Sequence, residues 1–161
     1  MHESSFLGMK SFLSNFDKKK ELKILDVGSY SFEEKNYKEL MSPNWKYVGI
    51  DISTGKNVDI VVDPFHYPFK DNTFDIVISG QCMEHVTEIW SWVKEIHRVL
   101  KVGGSVCIIA PSTGKQHTEH DCWRILPQGM EFILKWAGFK EVISFLNNNK
   151  KWNDTVGRGV K

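Results

Sequence analysis

Short, continuously apolar segments that alternate with helical patterns are the feature that most restricts how this chain can fold. Five of them are predicted strands, at residues 23–27, 47–53, 57–63, 74–80 and 105–111. A strand that is apolar along its whole length is buried on both faces of its sheet. Strands of this kind, alternating with helices, form a mostly parallel sheet between two helical layers. The pattern therefore predicts an α/β fold with three layers.

Helical spacing of apolar residues predicts the outer layers. Within residues 1–20, apolar side chains recur at three- and four-residue steps, which is typical of one face of an amphipathic helix. Ser31 and Glu34 have the spacing of a capping box, so a helix is predicted from about 32 to Met41. A further helix follows from the spacing between Val86 and Leu100 and is predicted to end at Gly103 and Gly104. Glu84 and His85 are predicted to start this helix, where Glu84 would do no more than compensate the helix dipole. The last helix is predicted to begin at Pro127 and to end near Gly138.

The two edges of the sheet have distinct sequence signals. Segments 141–146 and 152–160 flank a turn-rich NNNKK sequence, which predicts a closing antiparallel hairpin. Only the TGKN segment separates the second and third strands, whereas a parallel crossover normally takes a dozen or more residues. The third strand is therefore either a vestigial extended segment at the sheet edge, or the crossover helix has been deleted.

Length, charge and cysteine content exclude several classes of protein. The 161 residues are enough for a single domain, which we take as 1–161 with the N-terminal helix in 1–20 and a core in 22–161. The 21 Lys and Arg balance 20 Asp and Glu, so we expect no nucleic-acid partner. With neither the ~20-residue apolar run of a membrane span nor a signal-peptide pattern, the chain is expected to be cytoplasmic. Its three cysteines form no C-x-x-C pair, which disfavours a disulfide framework or zinc knuckle.

The first strand ends in a turn that begins like a nucleotide-binding loop and then departs from it. In LKILDVGSYSFEEK, Asp26 and Gly28 follow the apolar run, but Tyr30 and Phe32 stand where a dinucleotide fold has further glycines. A pyrophosphate needs several backbone N–H groups and an electropositive helix end, whereas the helix predicted here opens with two glutamates. The turn therefore favours a nucleoside that has no phosphates and carries a positive charge.

Two carboxylates at the ends of neighbouring strands extend this predicted site. Asp51 ends the second strand, where a carboxylate can accept hydrogen bonds from both ribose hydroxyls. Asp63 ends the third strand, and Phe65 follows it; a carboxylate accepts from an exocyclic amine, and an aromatic ring covers the face of a purine. Together the residues predict an adenosine site. The alternative roles are turn capping for the two aspartates and core packing for Phe65.

The order of four segments carries a resemblance to a known family. ILDVGS, YVGIDIS, VVDPFHYPFKDNTFDIVISGQCMEHV and RVLKVGGSVCIIAPS resemble the class I S-adenosylmethionine-dependent methyltransferases, in a small form similar to methyltransferase type 11. The resemblance covers residues 22–161 and implies a Rossmann-like sheet and S-adenosylmethionine as cofactor. It places Asp26 and Gly28 beside the methionine moiety, Asp51 at the ribose, Asp63 and Phe65 at the adenine, and Gln81 between donor and acceptor. Ser29, Tyr30, Ile52 and Pro64 complete the implied cofactor site.

A long segment after the fifth strand is the candidate acceptor site. STGKQHTEHDCWRIL spans about fifteen residues, which exceeds the usual connection in a compact domain. His117 or His120 is predicted to remove a proton from an acceptor hydroxyl, with Asp121 orienting the imidazole. The predicted acceptor-binding residues are His85, Trp123 and Arg124, the last of them for an anionic group. The alternatives are a metal cluster, whose spacing fits no strong zinc pattern, and a polar surface loop anchored by Trp123.

The expected function is methyl transfer from S-adenosylmethionine to a small-molecule or glycan-like acceptor. The resemblance implies this activity, and no metal is expected to take part. A cofactor-binding module without catalysis is the alternative, because the third-strand connection is short and the turn has lost its later glycines. An NAD-dependent oxidoreductase is disfavoured by the acidic first turn of the predicted helix.

Overall fold

A computed structural model describes residues 3–31, 36–149 and 152–161. The described residues form three α-helices, seven strands and two 3₁₀ turns. In chain order these are α1 (Glu3–Leu13), β1 (Leu22–Val27), a 3₁₀ turn (Tyr37–Leu40), β2 (Trp45–Asp51), β3 (Ile60–Val61), β4 (Phe74–Gly80), a second 3₁₀ turn (Met83–His85), α2 (Ile89–Val99), β5 (Leu100–Pro111), α3 (Pro127–Ala137), β6 (Lys140–Asn149) and β7 (Trp152–Val160).

All seven strands belong to one sheet with the order β3-β2-β1-β4-β5-β7-β6. Strands β1 to β5 pair in parallel, whereas β7 is antiparallel to both β5 and β6. The predicted α/β class, with a mostly parallel sheet and a closing antiparallel hairpin, is confirmed. Strand order reverses between β1 and β4, and their carboxyl ends face the same edge of the sheet as that of β2. This is where an open α/β sheet binds its ligand.

Helices cover both faces of the sheet. On one face α2 and α3 bury an apolar set that includes Trp92, Ile96, Met130 and Leu134. On the other face α1 buries Phe6, Met9, Phe12 and Leu13, as its sequence spacing predicts. Each large apolar side chain that is fully buried contributes roughly 1.5–3 kcal/mol. The three layers hold the carboxyl ends of the strands in a fixed arrangement.

The helix predicted from about 32 to Met41 is not present as such in the part of the chain that the structure describes. Residues 32–35, and with them the predicted Ser31–Glu34 capping box, lie outside the described residues. A capping box is present further along, where the Asn36 side chain accepts from the Lys38 amide and the Glu39 carboxylate accepts from the Asn36 amide. It opens a single 3₁₀ turn, which ends at Leu40.

The helix that was predicted to reach Gly103 and Gly104 ends at Val99 instead. Leu100 is extended and pairs with Phe74, so β5 begins directly after the helix. Gly103 has a φ of 77° and lies within β5, next to the irregular register between β4 and β5. Pairing with β4 therefore overrides the helical spacing of the sequence. The helix predicted from Pro127 does end at Gly138, whose φ is 110°.

Both alternatives for the short third-strand connection describe what the structure shows. β3 consists of two residues at the edge of the sheet, and the link from β2 contains no helix. Only two residue pairs, Ile50–Ile60 and Asp51–Val61, join β3 to β2. The link therefore has to return along β2 by only two residues before β3 begins. The Asp59 carboxylate accepts from the Gly49 amide at 2.8 Å and fastens the link to β2. A short loop suffices for so short a strand.

Candidate active site

A cleft of about 1100 Å³ opens at the carboxyl ends of β1, β2 and β4. It brings together twelve of the residues predicted for the site: Asp26, Gly28, Ser29, Tyr30, Asp51, Ile52, Pro64, Phe65, Gln81, His85, His117 and His120. Asp63, Asp121, Trp123 and Arg124 do not line it. Pockets for drug-sized ligands range over ~300–1000 Å³, so the cleft has room for a nucleoside and a second small molecule.

The turn after β1 is built around Gly28. This residue has a φ of 78°, and a Cβ atom there would collide with the side chain of Cys82. The amides of Gly28 and Ser29 both donate to the Ile50 carbonyl, at 2.9 and 3.0 Å. Tyr30 lies against Gly55 at the rim, so its ring leaves the cleft open. One glycine therefore serves this turn without the later glycines of a dinucleotide loop.

Asp26 presents a carboxyl group on the floor of the cleft. Its side chain is buried; Oδ2 accepts from the Tyr47 hydroxyl at 2.8 Å, and Oδ1 has no hydrogen-bond partner among the described residues. Burial, partly offset by the bond from Tyr47, raises the pKa of Asp26 to about 7. A buried acceptor without a partner costs free energy unless a ligand supplies a donor or a positive charge.

The two carboxylates predicted for the adenosine differ in placement. Asp51 ends β2 in the wall of the cleft, where Oδ2 accepts from the Tyr30 amide at 3.2 Å and Oδ1 from the Ser53 amide at 3.1 Å. The Asp63 carboxylate turns to its own chain, accepting from the Phe65 amide at 2.8 Å and pairing with His66 at 3.5 Å. Turn capping, the alternative role of Asp63, is therefore the one that its contacts show.

Gln81 connects the cleft with α1. It follows β4 with a φ of 56°, and its Nε2 donates to Oδ1 of Asp154 at 3.1 Å. Asp154 is buried in β7 and also accepts from the Ser4 hydroxyl at 2.5 Å. The N-terminal helix therefore supports the residue that was predicted to lie between donor and acceptor.

Glu84 is a cleft residue to which sequence reasoning assigned no more than a helix-dipole role. It lies in the 3₁₀ turn after β4, and α2 begins only at Ile89, so no helix starts at Glu84 itself. The side chain is 1% exposed, and Oε2 has no hydrogen-bond partner among the described residues. Burial raises the pKa of Glu84 to about 8. The signal that could have indicated a site residue is a carboxylate beside a histidine, shortly after an apolar strand.

The segment from Ser112 to Arg124, here called the acceptor loop, is fastened to this 3₁₀ turn. His85 Nδ1 bonds the His120 carbonyl at 2.5 Å, and the Cys122 amide donates to the Glu84 carbonyl at 2.7 Å. The Trp123 indole donates to the Val86 carbonyl at 2.7 Å. These bonds hold the loop against the cleft, which its residues 117–120 help to line. Trp123 thus anchors the loop, as it would in the polar surface loop that the sequence offered as an alternative.

His117 and Asp121 form a pair at the cleft. His117 Nδ1 lies 2.8 Å from Oδ2 of Asp121, whose side chain is fully buried. Nε2, the other ring nitrogen of His117, takes no part in this contact, and the residue lines the cleft. His120 lines the cleft as well, but it is the His120 carbonyl, not its ring, that contacts His85. Of the two predicted bases, only His117 contacts Asp121 among the described residues.

The placement of Arg124 argues against the predicted contact with an anionic acceptor. Its guanidinium group donates to both oxygens of Asp121, at 2.6 and 2.7 Å. The remaining N–H groups donate to the carbonyls of Gly114, Lys115 and Trp123. All five donors of this side chain are therefore used within the acceptor loop. The same contacts hold the pKa of Asp121 well below its usual range.

The cleft is lined by acidic side chains and by no lysine or arginine among the described residues. The acidic ones are Asp26, Asp51, Glu84 and Glu119. The described residues also contain no group of three His, Cys, Asp or Glu side chains placed to hold a metal ion. None of the helices in the described ranges is both long and apolar enough to cross a membrane. The acidic lining suits a cationic ligand and would repel a phosphate.

We expect the two raised pKa values to make the ligand-free protein less stable as the pH rises. The ordinary pKa values are 3.8 for Asp26 and 4.5 for Glu84, against about 7 and about 8 in the fold. Between these limits the folded state binds more protons than the unfolded state, so the free energy of unfolding falls with rising pH, on the order of a few kcal/mol. Urea unfolding at pH 5 and pH 8 measures this slope.

The double variant Asp26→Asn/Glu84→Gln separates this slope from that of other groups. It is expected to lose less stability than the wild type over the same interval, since neither site can titrate. Equal slopes for the two proteins would show that neither carboxyl has a raised pKa.

Replacing Arg124 by alanine should loosen the acceptor loop. The Asp121 carboxylate would lose its bidentate partner, and hydrogen bonds between charged groups contribute about 1.5–3 kcal/mol. Hydrogen exchange in residues 112–124 is expected to accelerate, with little change in β1 or β4. Lys115→Ala is the matched control, because only the carbonyl of Lys115 takes part in the contacts with Arg124. Unaltered exchange in Arg124→Ala would refute the assigned role.

The strand order, the antiparallel closing strands and the cleft at the carboxyl edge define the class I S-adenosylmethionine-dependent methyltransferase fold, whose cofactor is S-adenosylmethionine. A family model described as "Methyltransferase domain" matches residues 25–108, just over half of the chain. The chain therefore belongs to this methyltransferase family, and the resemblance stated from the sequence is confirmed.

Two curated relatives illustrate the range of sequence similarity. The chain is 30% identical over 124 residues to 2-methyl-6-phytyl-1,4-hydroquinone methyltransferase 2 from Oryza sativa, covering 74% of this chain and 32% of that protein. It is 41% identical over 58 residues to a demethylmenaquinone methyltransferase from Staphylococcus epidermidis, covering 35% of this chain and 24% of that one. The chain thus spans about a third or less of the length of these two relatives.

Solved structures share the fold at low identity. A SAM-dependent methyltransferase from Aquifex aeolicus superposes with a TM-score of 0.72 at 19% identity, covering 98% of this chain and 92% of that one. 1,6-Didemethyltoxoflavin-N1-methyltransferase from Burkholderia thailandensis, solved with S-adenosylhomocysteine, gives a TM-score of 0.78 at 14% identity, covering 99% and 78%. At these identities the likeness concerns the fold.

Proposed function

We propose that this protein transfers a methyl group from S-adenosylmethionine to a small acceptor that carries no negative charge. The observation that supports this most directly is the acidic cleft at the switch point of the sheet. There the buried Asp26 has an oxygen without a described partner, and no lysine or arginine is among the described lining residues. Family membership supplies the reaction class, and the charge of the cleft supplies the preference for cationic and neutral ligands.

Each part of the cofactor has a matching group in this proposal. Asp51 accepts hydrogen bonds from the ribose hydroxyls, and Phe65 and Pro64 cover the adenine. Asp26 and the turn at Gly28 and Ser29 receive the methionine portion, where its positive charges meet a buried carboxyl. When bound, the cofactor supplies an activated methyl group, and the protein supplies alignment and exclusion of water.

On the acceptor side, His117 is the residue that the geometry favours as proton acceptor. The Asp121 carboxylate holds Nδ1 of this ring and thereby orients it, while the acceptor loop carries the ring to the cleft. Imidazole can take a proton near neutral pH, which suits a hydroxyl acceptor such as that of a small molecule or glycan. His85 and His120 complete the polar wall.

A quinol is the second candidate acceptor. The curated relatives named above act, by their names, on a hydroquinone and on demethylmenaquinone. The cleft wall also contains apolar side chains that suit an aromatic ring, among them Val86, Trp92 and Tyr37. A quinol differs from a glycan in needing such a wall, so reduced quinones and neutral glycosides are the two acceptor pools to compare.

Calorimetry followed by product analysis tests the proposal. We expect the protein to bind S-adenosylmethionine and S-adenosylhomocysteine, and not NAD, and to release S-adenosylhomocysteine when the correct acceptor pool is present. Tight binding with no turnover in any pool would favour the non-catalytic module. Binding of NAD in place of S-adenosylhomocysteine would favour the oxidoreductase.

A further inference from the structure

Glu84 is a buried carboxyl group of the cleft that the function proposed above does not use. Its side chain is 1% exposed, and Oε2 has no hydrogen-bond partner among the described residues. Oε1 lies 3.9 Å from His85 Nε2, which is too far for a hydrogen bond. The backbone carbonyl of Glu84 accepts the amides of Cys122 and Trp123, so the residue is held where β4 meets the acceptor loop. A carboxyl this buried and this incompletely bonded is costly, and a ligand can offset that cost.

Cys82 connects Glu84 with the cofactor half of the cleft, because the two residues are two positions apart and both line the cleft. Burial raises the pKa of the Cys82 thiol, and the charges of Glu84, Asp51 and Asp26 add to that rise. The Cys82 side chain in turn packs on Gly28, at the turn assigned to the methionine portion of the cofactor. Glu84 therefore lies on the boundary between the cofactor half of the cleft and the histidine-lined acceptor half.

We propose that Glu84 faces the positive charge of the bound methyl donor, releases its proton when the donor binds, and takes up a proton again once the donor has become the neutral product. This inference rests on the function proposed above. It assigns to Glu84 a role that differs between the cationic donor and the neutral product, and it leaves His117 as the group that receives the acceptor's proton.

The proton balance of this cycle is complete. Glu84 gives one proton to solvent on binding, and its carboxylate then faces the sulfonium. During transfer the acceptor oxygen or nitrogen forms a bond to the methyl carbon, the carbon–sulfur bond breaks with its electron pair left on sulfur, and the acceptor's proton passes to His117. Glu84 then takes a proton from solvent and is neutral beside a neutral thioether. His117 returns its proton to solvent, so the net reaction releases one proton.

The charged groups around Glu84 are compatible with this cycle. They are His85 on the same turn, Asp121 and Arg124 on the acceptor loop, Asp154 on β7, and Asp26 and Asp51 across Cys82. Arg124 is engaged by Asp121, and its charge lowers the pKa of Glu84 by less than the charge of Asp121 raises it. Burial is the largest cause and raises the pKa of Glu84 to about 8, although a hydrogen bond from the residue's own backbone amide acts in the opposite direction. At neutral pH the carboxyl then holds a proton that a cation can displace.

Calorimetry in two buffers of different ionisation enthalpy tests the inference without knowledge of the acceptor. At pH 7, Glu84→Gln is expected to release roughly one proton fewer than wild type on binding S-adenosylmethionine. With S-adenosylhomocysteine the two proteins should release the same number, because the product lacks the sulfonium charge. Comparing the same ligand across variants cancels any proton released by the ligand itself.

Glu131→Gln is the matched control, since it makes the same change on the exposed face of α3, where Glu131 pairs with Lys135. It should behave as wild type with both ligands. Should Glu84→Gln fold poorly by circular dichroism, the pH dependence of binding is measured in Asp26→Asn, in which the other raised carboxyl no longer titrates. Affinity for S-adenosylmethionine is then expected to rise about tenfold from pH 6.5 to pH 8.5, and that for S-adenosylhomocysteine to change less.

The possible failures are distinguishable. If both ligands bind and proton release is the same in wild type and Glu84→Gln, the role of Glu84 is overturned and the proposed function stands. If Asp26→Asn shows no difference in pH dependence between the two ligands, the role is likewise overturned. If wild type binds neither ligand, the proposed function fails and the role of Glu84 with it.

Discussion

Substitution of Gly28 by alanine is expected to abolish measurable binding of S-adenosylhomocysteine, a loss of about a hundredfold or more. The added methyl group would collide with the Cys82 side chain, and a φ of 78° is itself unfavourable for alanine by about 1–2 kcal/mol. The turn would have to move, taking with it the amides that bond the Ile50 carbonyl. Calorimetry and thermal unfolding measure the two effects.

A second substitution separates collision from backbone strain. Gly28→Ala combined with Cys82→Gly removes the obstructing side chain, so binding should recover in part, and the deficit that remains reflects the backbone. Gly129→Ala is the control, because a Cβ there meets no atom within 4 Å and alanine favours the interior of α3. Full binding by Gly28→Ala would contradict the structure of this turn.

Replacing Asp51 by asparagine is expected to weaken binding of S-adenosylhomocysteine by roughly ten- to a hundredfold. A hydrogen bond to a charged group contributes about 1.5–3 kcal/mol, and each 1.4 kcal/mol is a factor of ten. The amide keeps the shape of the side chain but has only one acceptor, while the carboxylate already accepts the amides of Tyr30 and Ser53. Using the neutral product as ligand confines the effect to the nucleoside. Titration calorimetry gives the dissociation constant directly.

Asp63→Asn serves as the informative comparison. Its carboxylate caps the turn at Phe65 and does not line the cleft, so the loss of affinity should be smaller than for Asp51. Asp71→Asn, an exposed partner of Arg98, should leave affinity unchanged. An effect of Asp63→Asn as large as that of Asp51→Asn would restore the adenine contact that the sequence pattern predicted for Asp63.

Patterns of apolar residues predicted the elements whose pairing agrees with their local preference. Strand β4 and the β6–β7 hairpin appear where the sequence placed them, and α3 ends at Gly138 as predicted. The prediction that α2 reaches Gly103 and Gly104 was wrong, because local preference and strand pairing disagree there; the helix ends at Val99. Its last predicted residues have helical spacing, but pairing of Leu100 with Phe74 makes them the start of β5. Spacing alone cannot weigh a helix against a strand partner that is distant in sequence.

For the site, residue type and order predicted more than orientation. Asp26, Gly28 and Asp51 line the cleft because strand ends meet at one edge of a parallel sheet, which follows from topology. The directions of Asp63 and Arg124 depend on local hydrogen bonds: one carboxylate caps its own turn, and one guanidinium is used up within its loop. Glu84 was predicted only to compensate a helix dipole for the same reason. The sequence does not show that its side chain is buried or that Oε2 has no hydrogen-bond partner among the described residues.

By itself, the sequence determined the class of fold, the family and the edge of the sheet where ligands bind, because apolar periodicity and motif order are properties of the linear chain. Only the tertiary structure decided which acidic side chains line the cleft and that the Arg124 guanidinium bonds within its own loop. It also decided that Asp26 and Glu84 are buried, each with one carboxyl oxygen that has no partner among the described residues. Those properties depend on atoms from distant positions in the sequence. The free-energy cost of burying a charge arises only when folding brings these atoms together.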